Sequence, residues 1–403
     1  MTSLFDSWLT DATELTRSGH LMEATAAIQR ALAGAVGAGQ AIPPKTNAAE
    51  VLDGLVREVP TPSTRQSPPV RPLRTKAPPG SPADQEPVHR GTFDSHTYSG
   101  PYGTRTYKLY VPAGYVGKRL PLVVMLHGCS QSPDDFATGT RMNEVAAERG
   151  FLVLYPAQAP RSNQSKCWNW FAPGDQRRDG GEPALLADIT REVMSRHPVD
   201  PDRVYVAGLS AGAAMADILG REYPDLYAAV GVHSGLPQGA AHDVASAFAA
   251  MHHGPQTNAP IMPFELGRRP RATGTAGSAE QATRGAPTIV FHGDADGTVH
   301  PRNGAEVVEA ALRATGHTDE EVQKTTMKST AAGRAFTKTV HRRPGSAADD
   351  ASLAEHWVVH GAGHAWSGGS PTGSYADASG PDASREMIRF FEEHPLQRGK
   401  AAR

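Results

Sequence analysis

A serine, two aspartates and a histidine each follow a strand-like apolar run in this chain. Ser210 lies in GLSAG after RVYVA, Asp294 and Asp296 lie in HGDADGTV after PTIVF, and His364 lies in GAGHAWSGG after EHWVVH. A serine hydroxyl is a poor nucleophile at neutral pH, so it needs a base within hydrogen-bond reach. An imidazole whose tautomer is held by a carboxylate can act as that base. These residue types therefore indicate nucleophilic catalysis by a serine.

The order and placement of these residues are more specific than the serine motif itself. In a chain with 41 glycines, G-x-S-x-G arises easily by chance. Ligands of open parallel sheets, however, bind beyond the carboxyl ends of the strands. A fourth run, LPLVVML, is followed by His127, Gly128 and Cys129, so four strand ends would meet at one rim. The chain order Ser, Asp, His is that of the α/β hydrolases.

The acid and the base each have competing candidates. The acid loop of a hydrolase usually reads H-G-x-x-D, and HGDAD places Asp296 at that position, with Asp294 as a turn or rim residue. His356 and His360 lie within a strand pattern and are expected to be packed or exposed strand residues. His364 lies in the glycine-flanked loop that follows. We therefore predict Asp296 as the acid and His364 as the base.

Two backbone amides are candidates for stabilising the oxyanion of such a reaction. One is the N–H of Ala211, directly after the serine, and the other lies in the loop after LHG, at Cys129. Gly208 and Gly212 would let a strand and a helix pass close together beside the serine. The positive end of that helix also favours a developing oxyanion.

Alternating strand and helix patterns must position these residues. Short apolar runs such as LPLVVML, FLVLYP and PTIVFHG are typical of strands buried on both faces. MNEVAAERG, PALLADITREVMSRH and REMIRFFEEH have helical spacing. The alternation predicts an α/β fold of the α/β-hydrolase type, with a mostly parallel central sheet flanked by helices.

The composition divides the chain into three parts. Residues 1–35 have the spacing of an amphipathic helical hairpin, which either docks on the main domain or binds a partner or a hydrophobic granule. Residues 36–91 form a Pro-rich segment, expected to be an extended linker. Residues 92–397 form the catalytic domain, and within it the Gly/Ala/Thr/Pro-rich residues 239–285 are predicted to be an insertion, either a mobile loop or a lid over the site.

Six motifs occur in order along the chain: LHGCSQSPDDF, CWNWF, DPDRVYVAGLSAGAAMA, GVHSGL, HGDADGTVHPRNG and GAGHAWSGG. Together they resemble the esterases of the poly(3-hydroxybutyrate) depolymerase family, in the type I arrangement of the catalytic domain. The resemblance covers roughly residues 92–394. It implies a catalytic triad and two oxyanion-hole amides at the matching positions: Ser210, Asp296 and His364, with Cys129 and Ala211.

The resemblance also implies a substrate class, with alternatives. The leading prediction is hydrolysis of poly(3-hydroxybutyrate) or its oligomers through an acyl-enzyme. Feruloyl and acetylxylan esterases share the framework, so an esterase of that kind, or one for small esters, is the alternative. A non-catalytic granule-associated protein on the same fold is a second alternative. No metal cluster or phosphate-binding loop is evident, so no cofactor is expected.

Charge and the N-terminal sequence bear on partners and location. The formal net charge of −2 gives no electrostatic reason to expect nucleic acid as a partner. No run approaches the ~20 apolar residues that span a bilayer. The N-terminus lacks the pattern of a signal peptide, which predicts a cytoplasmic or polymer-granule location. An extracellular location, as for many family members, is the alternative. The sequence does not indicate an oligomeric state.

The two cysteines and three tryptophans also lie near the predicted rim. Cys129 and Cys167 both follow strand ends, where a disulfide would brace the oxyanion loop. Cytosolic disulfides are rare, which conflicts with the apparent absence of a signal peptide. Trp168, Trp170 and Trp366 either line an apolar cleft for the methyl groups of a polymer or pack against the sheet.

Overall fold

The buried apolar runs form the centre of a ten-stranded sheet. A computed structural model describes residues 91–115, 117–254, 285–347 and 350–396. The strands of the sheet are β1 (Thr92–Gly100), β2 (Gly103–Val111), β3 (Leu120–Leu126), β4 (Leu152–Pro156), β5 (Val199–Leu209), β6 (Ala229–His233), β7 (Thr288–Gly293), β8 (Gln323–Ala331), β9 (Arg334–Arg342) and β10 (Ala354–Val359). Two short strands, β11 (Trp366–Ser367) and β12 (Ala376–Asp377), pair separately.

The order of the strands is β1-β2-β4-β3-β5-β6-β7-β10-β9-β8. The six strands from β4 to β10 in this order are parallel, and antiparallel hairpins, β1–β2 and β8–β9, extend the two edges. In β3, Leu122 and Val124 face one core while Val123 and Met125 face the other. All four are fully buried, as expected of a parallel strand covered on both faces.

Helices cover both faces of the sheet. The described helices are α1 (Pro133–Thr140), α2 (Met142–Arg149), α3 (Gly181–Arg196), α4 (Ala211–Glu222), α5 (Val244–His253), α6 (Arg302–Ala314) and α7 (Ala383–Glu393). Apolar residues of α1, α2 and α7 pack into one core, and those of α3, α4 and α6 pack into the other. This layering confirms the predicted α/β-hydrolase fold, and it brings the carboxyl ends of β3, β5, β6, β7 and β10 to one edge.

The sequence patterns do not predict the antiparallel edge hairpin β8–β9. All residues of β8 before Ala331 are exposed, and its sequence, QKTTMKSTA, contains no apolar run. An exposed edge strand needs no apolar alternation, because neither of its faces is fully covered. Its position in the sheet comes from pairing with β9, which a single strand sequence does not reveal.

Several predicted segments lie outside the described residues. They include the proposed hairpin at 1–35, the proposed linker at 36–91 except for residue 91, and residues 255–284 of the proposed insertion at 239–285. The described beginning of that insertion contains α5, whose N-terminus is closed by a capping box between Asp243 and Ser246. In the described part of the chain, no helix is both long enough and apolar enough to cross a membrane.

Candidate active site

Ser210 lies on a sharp turn between β5 and α4. Its backbone has φ 57° and ψ −121°, a conformation that costs free energy for a residue with a side chain and that is typical of functional sites. The Ser210 N–H donates a 2.9 Å hydrogen bond to the carbonyl of His233 at the end of β6. The turn is therefore held against the neighbouring strand, with the serine at the carboxyl edge of the sheet.

Two glycines allow this turn to form. A Cβ atom on Gly212 would lie 2.1 Å from the carbonyl oxygen of Leu126, and one on Gly208 would lie 2.4 Å from the carbonyl carbon of Gly212. Such distances are far below van der Waals contact, so only glycine fits at either position. The strand before the serine and the helix after it can therefore pass within backbone contact.

Asp296 and His364 form a hydrogen-bonded pair, in which the Asp296 side chain is fully buried and that of His364 is 10% exposed. His364 Nδ1 lies 2.8 Å from Asp296 Oδ2, and Asp296 Oδ1 accepts hydrogen bonds of 2.9 Å from the amides of Thr298 and Val299. Burial opposes ionisation, but the hydrogen bonds from His364 and Val299 outweigh it and lower the pKa of Asp296 to about 2. An ionised carboxylate only accepts hydrogen bonds, so Nδ1 carries the proton and Nε2 is the basic nitrogen.

His233 connects the serine turn to the histidine loop. Its carbonyl accepts the Ser210 amide, and its Nε2 accepts a 3.0 Å hydrogen bond from the amide of Ser367, three residues after His364. Among the described residues, no hydrogen bond joins Ser210 Oγ to His364. Such bonds are often long in unliganded active sites and tighten when substrate binds.

The amides of Cys129 and Ala211 lie near the serine and have no hydrogen-bond partner within the described ranges. His127 Nδ1 bonds the carbonyl of Gly128 at 2.8 Å, while His127 Nε2 accepts the Gln158 amide. Since Nε2 is an acceptor, Nδ1 is the donor. In a trans peptide the carbonyl and the next N–H point in opposite directions, so this bond turns the Cys129 amide away from His127.

Gln131 also holds the loop after β3, a role that the sequence patterns do not predict. Its Oε1 accepts the Gly128 amide at 2.9 Å, and its Nε2 donates to Asp135 at 3.0 Å and to the Ser374 carbonyl at 2.9 Å. A methyl group on Gly128 would lie 3.6 Å from Ser210 Cβ, so the loop borders the serine. The Gln131–Ser374 contact joins distant parts of the chain, and no local pattern indicates it.

Asp294, the competing acid candidate, binds a different histidine. Its Oδ2 lies 2.8 Å from His360 Nδ1, and its Oδ1 accepts the Gly361 amide at 2.6 Å. Asp294 and His360 side chains are each 41% exposed, whereas the Asp296 side chain is fully buried. The two aspartates of the loop thus form two parallel pairs, and the buried pair supports the prediction of Asp296 as the acid.

Comparison with known proteins places this chain in a family. The family model described as esterase PHB depolymerase matches residues 105–331, more than half of the chain. The chain belongs to this family. Ser210 and Asp296 lie inside the matched residues, and His364 lies beyond them.

Individual relatives of this esterase family cover part of the chain. The poly(3-hydroxyalkanoate) depolymerase C of Paucimonas lemoignei is 35% identical over 204 residues, 50% of this chain and 46% of that protein. A probable acetylxylan esterase A of Aspergillus fumigatus is 34% identical over 35% of this chain and 37% of that protein. The chain thus spans less than half the length of these curated relatives. The solved acetyl xylan esterase of Aspergillus awamori shares the fold, with a TM-score of 0.54 and 17% identity over 74% of this chain and 99% of that chain.

A disulfide joins Cys129 to Cys167 in this member of the esterase PHB depolymerase family. It connects the loop after β3 to the segment between β4 and α3. The Ser130 amide also donates to the Ser165 carbonyl at 2.7 Å, so two adjacent links hold these segments together. The disulfide and the hydrogen bonds of the neighbouring residues Gly128 and Ser130 therefore fix the position of the Cys129 amide.

The three tryptophans near the rim are core residues rather than the walls of an open cleft. Trp168, Trp170 and Trp366 are 0%, 5% and 1% exposed. Trp168 Nε1 donates to the His127 carbonyl at 3.1 Å, and Trp366 Nε1 donates to Ser384 Oγ at 3.1 Å. The burial of these rings therefore favours the second alternative, packing inside the protein, over an apolar cleft for a polymer.

Two buried histidines, His127 and His233, and the partly buried His356 predict a steep loss of stability in acid. Burial lowers the pKa of His127 and His356 to about 4 and that of His233 to about 3. Because unfolding restores a pKa near 6.5, the unfolded state binds more protons below that pH. The free energy of unfolding should therefore fall from about pH 6.5 downwards, each histidine adding up to about 1.4 kcal/mol per pH unit to the slope.

Denaturant unfolding between pH 7.5 and 5 measures this slope. Replacing His356 with leucine should reduce the slope near pH 5 by up to about 1.4 kcal/mol per pH unit. An unfolding free energy that stays constant over this range would contradict the prediction.

Proposed function

We propose that this chain is a serine esterase that hydrolyses ester bonds of poly(3-hydroxybutyrate) or its oligomers through an acyl-enzyme. The observation that carries the proposal is the hydrogen-bonded Asp296–His364 pair, linked through His233 to Ser210 on its sharp turn, in a chain of the esterase PHB depolymerase family. A depolymerase among its relatives supports the choice of a polyester of 3-hydroxy acids as the substrate.

The first half of the proposed reaction transfers the acyl group to the enzyme. Ser210 Oγ attacks the ester carbonyl carbon, and His364 Nε2 removes the hydroxyl proton. Asp296 holds Nδ1 and stabilises the imidazolium that forms. The carbonyl oxygen becomes an oxyanion, which accepts hydrogen bonds from the amides of Cys129 and Ala211. When the tetrahedral intermediate collapses, the bond to the alcohol oxygen breaks, and His364 gives that oxygen its proton.

The second half of the reaction releases the acid. Water, deprotonated by His364 Nε2, attacks the acyl carbon bound to Ser210 Oγ. The same two amides stabilise the second oxyanion, and the proton returns through His364 to Ser210 as the carboxylic acid leaves. Every step uses groups of the chain and water, so the mechanism requires no cofactor.

The disulfide bears on the location we propose for the enzyme. Disulfides persist in oxidising compartments and are rare in the cytosol. The Cys129–Cys167 bond therefore favours the extracellular alternative over a cytoplasmic or granule-bound location. An extracellular ester hydrolase would meet its polymer substrate outside the cell.

Release of product from three substrates tests the proposed function. Amorphous poly(3-hydroxybutyrate) granules should lose turbidity and release 3-hydroxybutyrate or its oligomers, faster than acetylated xylan releases acetate or methyl ferulate releases ferulate. Preference for the xylan or the ferulate would instead favour an acetylxylan or feruloyl esterase. Failure to hydrolyse these substrates or any simple ester would favour a non-catalytic, granule-associated protein.

A further inference from the structure

Tyr375 is an exposed aromatic side chain beside the histidine of the candidate triad. Three large hydrophobic side chains are exposed in the part of the chain that the structure describes: Tyr102, Met327 and Tyr375. Tyr375 is 48% exposed, and its ring stands edge-on to the imidazole of His364, with 6.3 Å between the ring centroids. The exposed part of this ring is contact area that a ligand bound next to His364 can cover.

The backbone holds this ring in place at a conformational cost. Tyr375 has φ 50°, in the left-handed region that non-glycine residues rarely adopt. Its carbonyl accepts the Trp366 amide at 2.7 Å, and the next residue, Ala376, pairs with Trp366 in the β11–β12 bridge. The preceding residue, Ser374, donates its amide to Asp135 at 2.8 Å. The backbone on both sides of Tyr375 is therefore anchored, which fixes the point at which its side chain leaves the main chain.

Ser374 also links this ring to the oxyanion loop. Gln131 Nε2 donates to the Ser374 carbonyl, and Gln131 Oε1 accepts the Gly128 amide, one residue before Cys129. One buried glutamine thus sets the position of Tyr375 relative to the amide proposed to stabilise the oxyanion. The Tyr375 backbone and the loop that contains the Cys129 amide are therefore held in a fixed relation to each other.

We infer that the Tyr375 ring binds the alcohol part of the ester substrate. This inference rests on the proposed function and deepens it. In the acylation step His364 protonates the leaving alcohol oxygen, so the alcohol chain must leave the reacting carbon on the imidazole side. A ring adjacent to that imidazole can reach the first carbons of this chain, while the acyl chain extends from the other side of the carbonyl carbon. Tyr375 is therefore a specificity-determining residue for apolar alcohols.

Two series of esters separate the two sides of the scissile bond. One keeps the acetyl group and lengthens the alcohol from methyl to hexyl, and the other keeps the methyl alcohol and lengthens the acyl group from acetate to hexanoate. In Tyr375→Ala, the ratio of kcat/KM for hexyl acetate to that for methyl acetate should fall about 10-fold, as expected from the loss of contact with one or two methylene groups. The ratio for methyl hexanoate to methyl acetate should not change.

Matched variants exclude an effect of folding. Tyr375→Gly removes the ring yet suits the left-handed backbone, so it should lose alcohol selectivity without losing thermal stability. Tyr375→Phe retains the ring and should retain the selectivity, and Met327→Ala, at an equally exposed position on β8, should leave both ratios unchanged. Equal changes in both series, or no change in either, would overturn the inference. If the wild-type enzyme hydrolyses neither series, the proposed function fails first, and the inference fails with it.

Discussion

Replacing Ser210 with alanine is expected to lower kcat for ester hydrolysis by at least about 10³-fold, because no other group can form the acyl-enzyme. The fold should survive, since alanine is smaller than serine and has the same Cβ atom in this backbone conformation. Initial rates on a soluble ester such as butyl acetate, together with thermal unfolding of each variant, measure both effects. The substitution should also abolish the release of product from polymer granules.

Ser234 provides a matched control for this substitution. It follows β6 as Ser210 follows β5, it has φ 51°, and its amide donates to the Phe291 carbonyl at 2.9 Å. Its buried Oγ has no hydrogen-bond partner among the described residues. Ser234→Ala should therefore retain the wild-type rate. Equal rates for wild-type and Ser210→Ala enzyme would exclude Ser210 as the nucleophile, and similar losses in both serine variants would indicate a structural effect.

Replacing Asp296 with asparagine is expected to lower kcat by about 10⁴-fold. The amide oxygen or nitrogen can still meet His364, but it no longer carries the charge that selects the Nδ1–H tautomer and stabilises the imidazolium. Asparagine is almost isosteric with aspartate, so the loop that contains Thr298 and Val299 should keep its position. Steady-state rates on a soluble ester measure the loss.

Asp294→Asn is the matched control, since Asp294 lies two residues away and also bonds a histidine. Its partner, His360, is half-exposed and contacts Thr337 rather than the serine turn. The Asp294→Asn rate should remain within a few-fold of wild type. A larger loss in Asp294→Asn than in Asp296→Asn would reverse the assignment of the acid.

The fold could be predicted because its central strands are covered on both faces. Such strands require continuous apolar runs, as in LPLVVML and PTIVFHG, and these runs stand out from their surroundings. Parallel strands also place their carboxyl ends at one edge, so the residue after each run indicates the position of the site. The exposed strand β8 has no such requirement, which is why its sequence did not reveal it.

The positions of Ser210, Asp296 and His364 could therefore be proposed from sequence alone, because each follows such a run. Only the tertiary structure decided which aspartate meets which histidine, since Asp294 with His360 and Asp296 with His364 are contacts between distant strand ends. The tertiary structure also shows that the three tryptophans are buried and that the Tyr375 ring contacts the His364 ring. The sequence by itself determined the strands and the residues at their ends, because a strand that is buried on both faces requires a continuous apolar run. The pairing of side chains and the exposure of each ring depend on which distant segments of the chain come into contact.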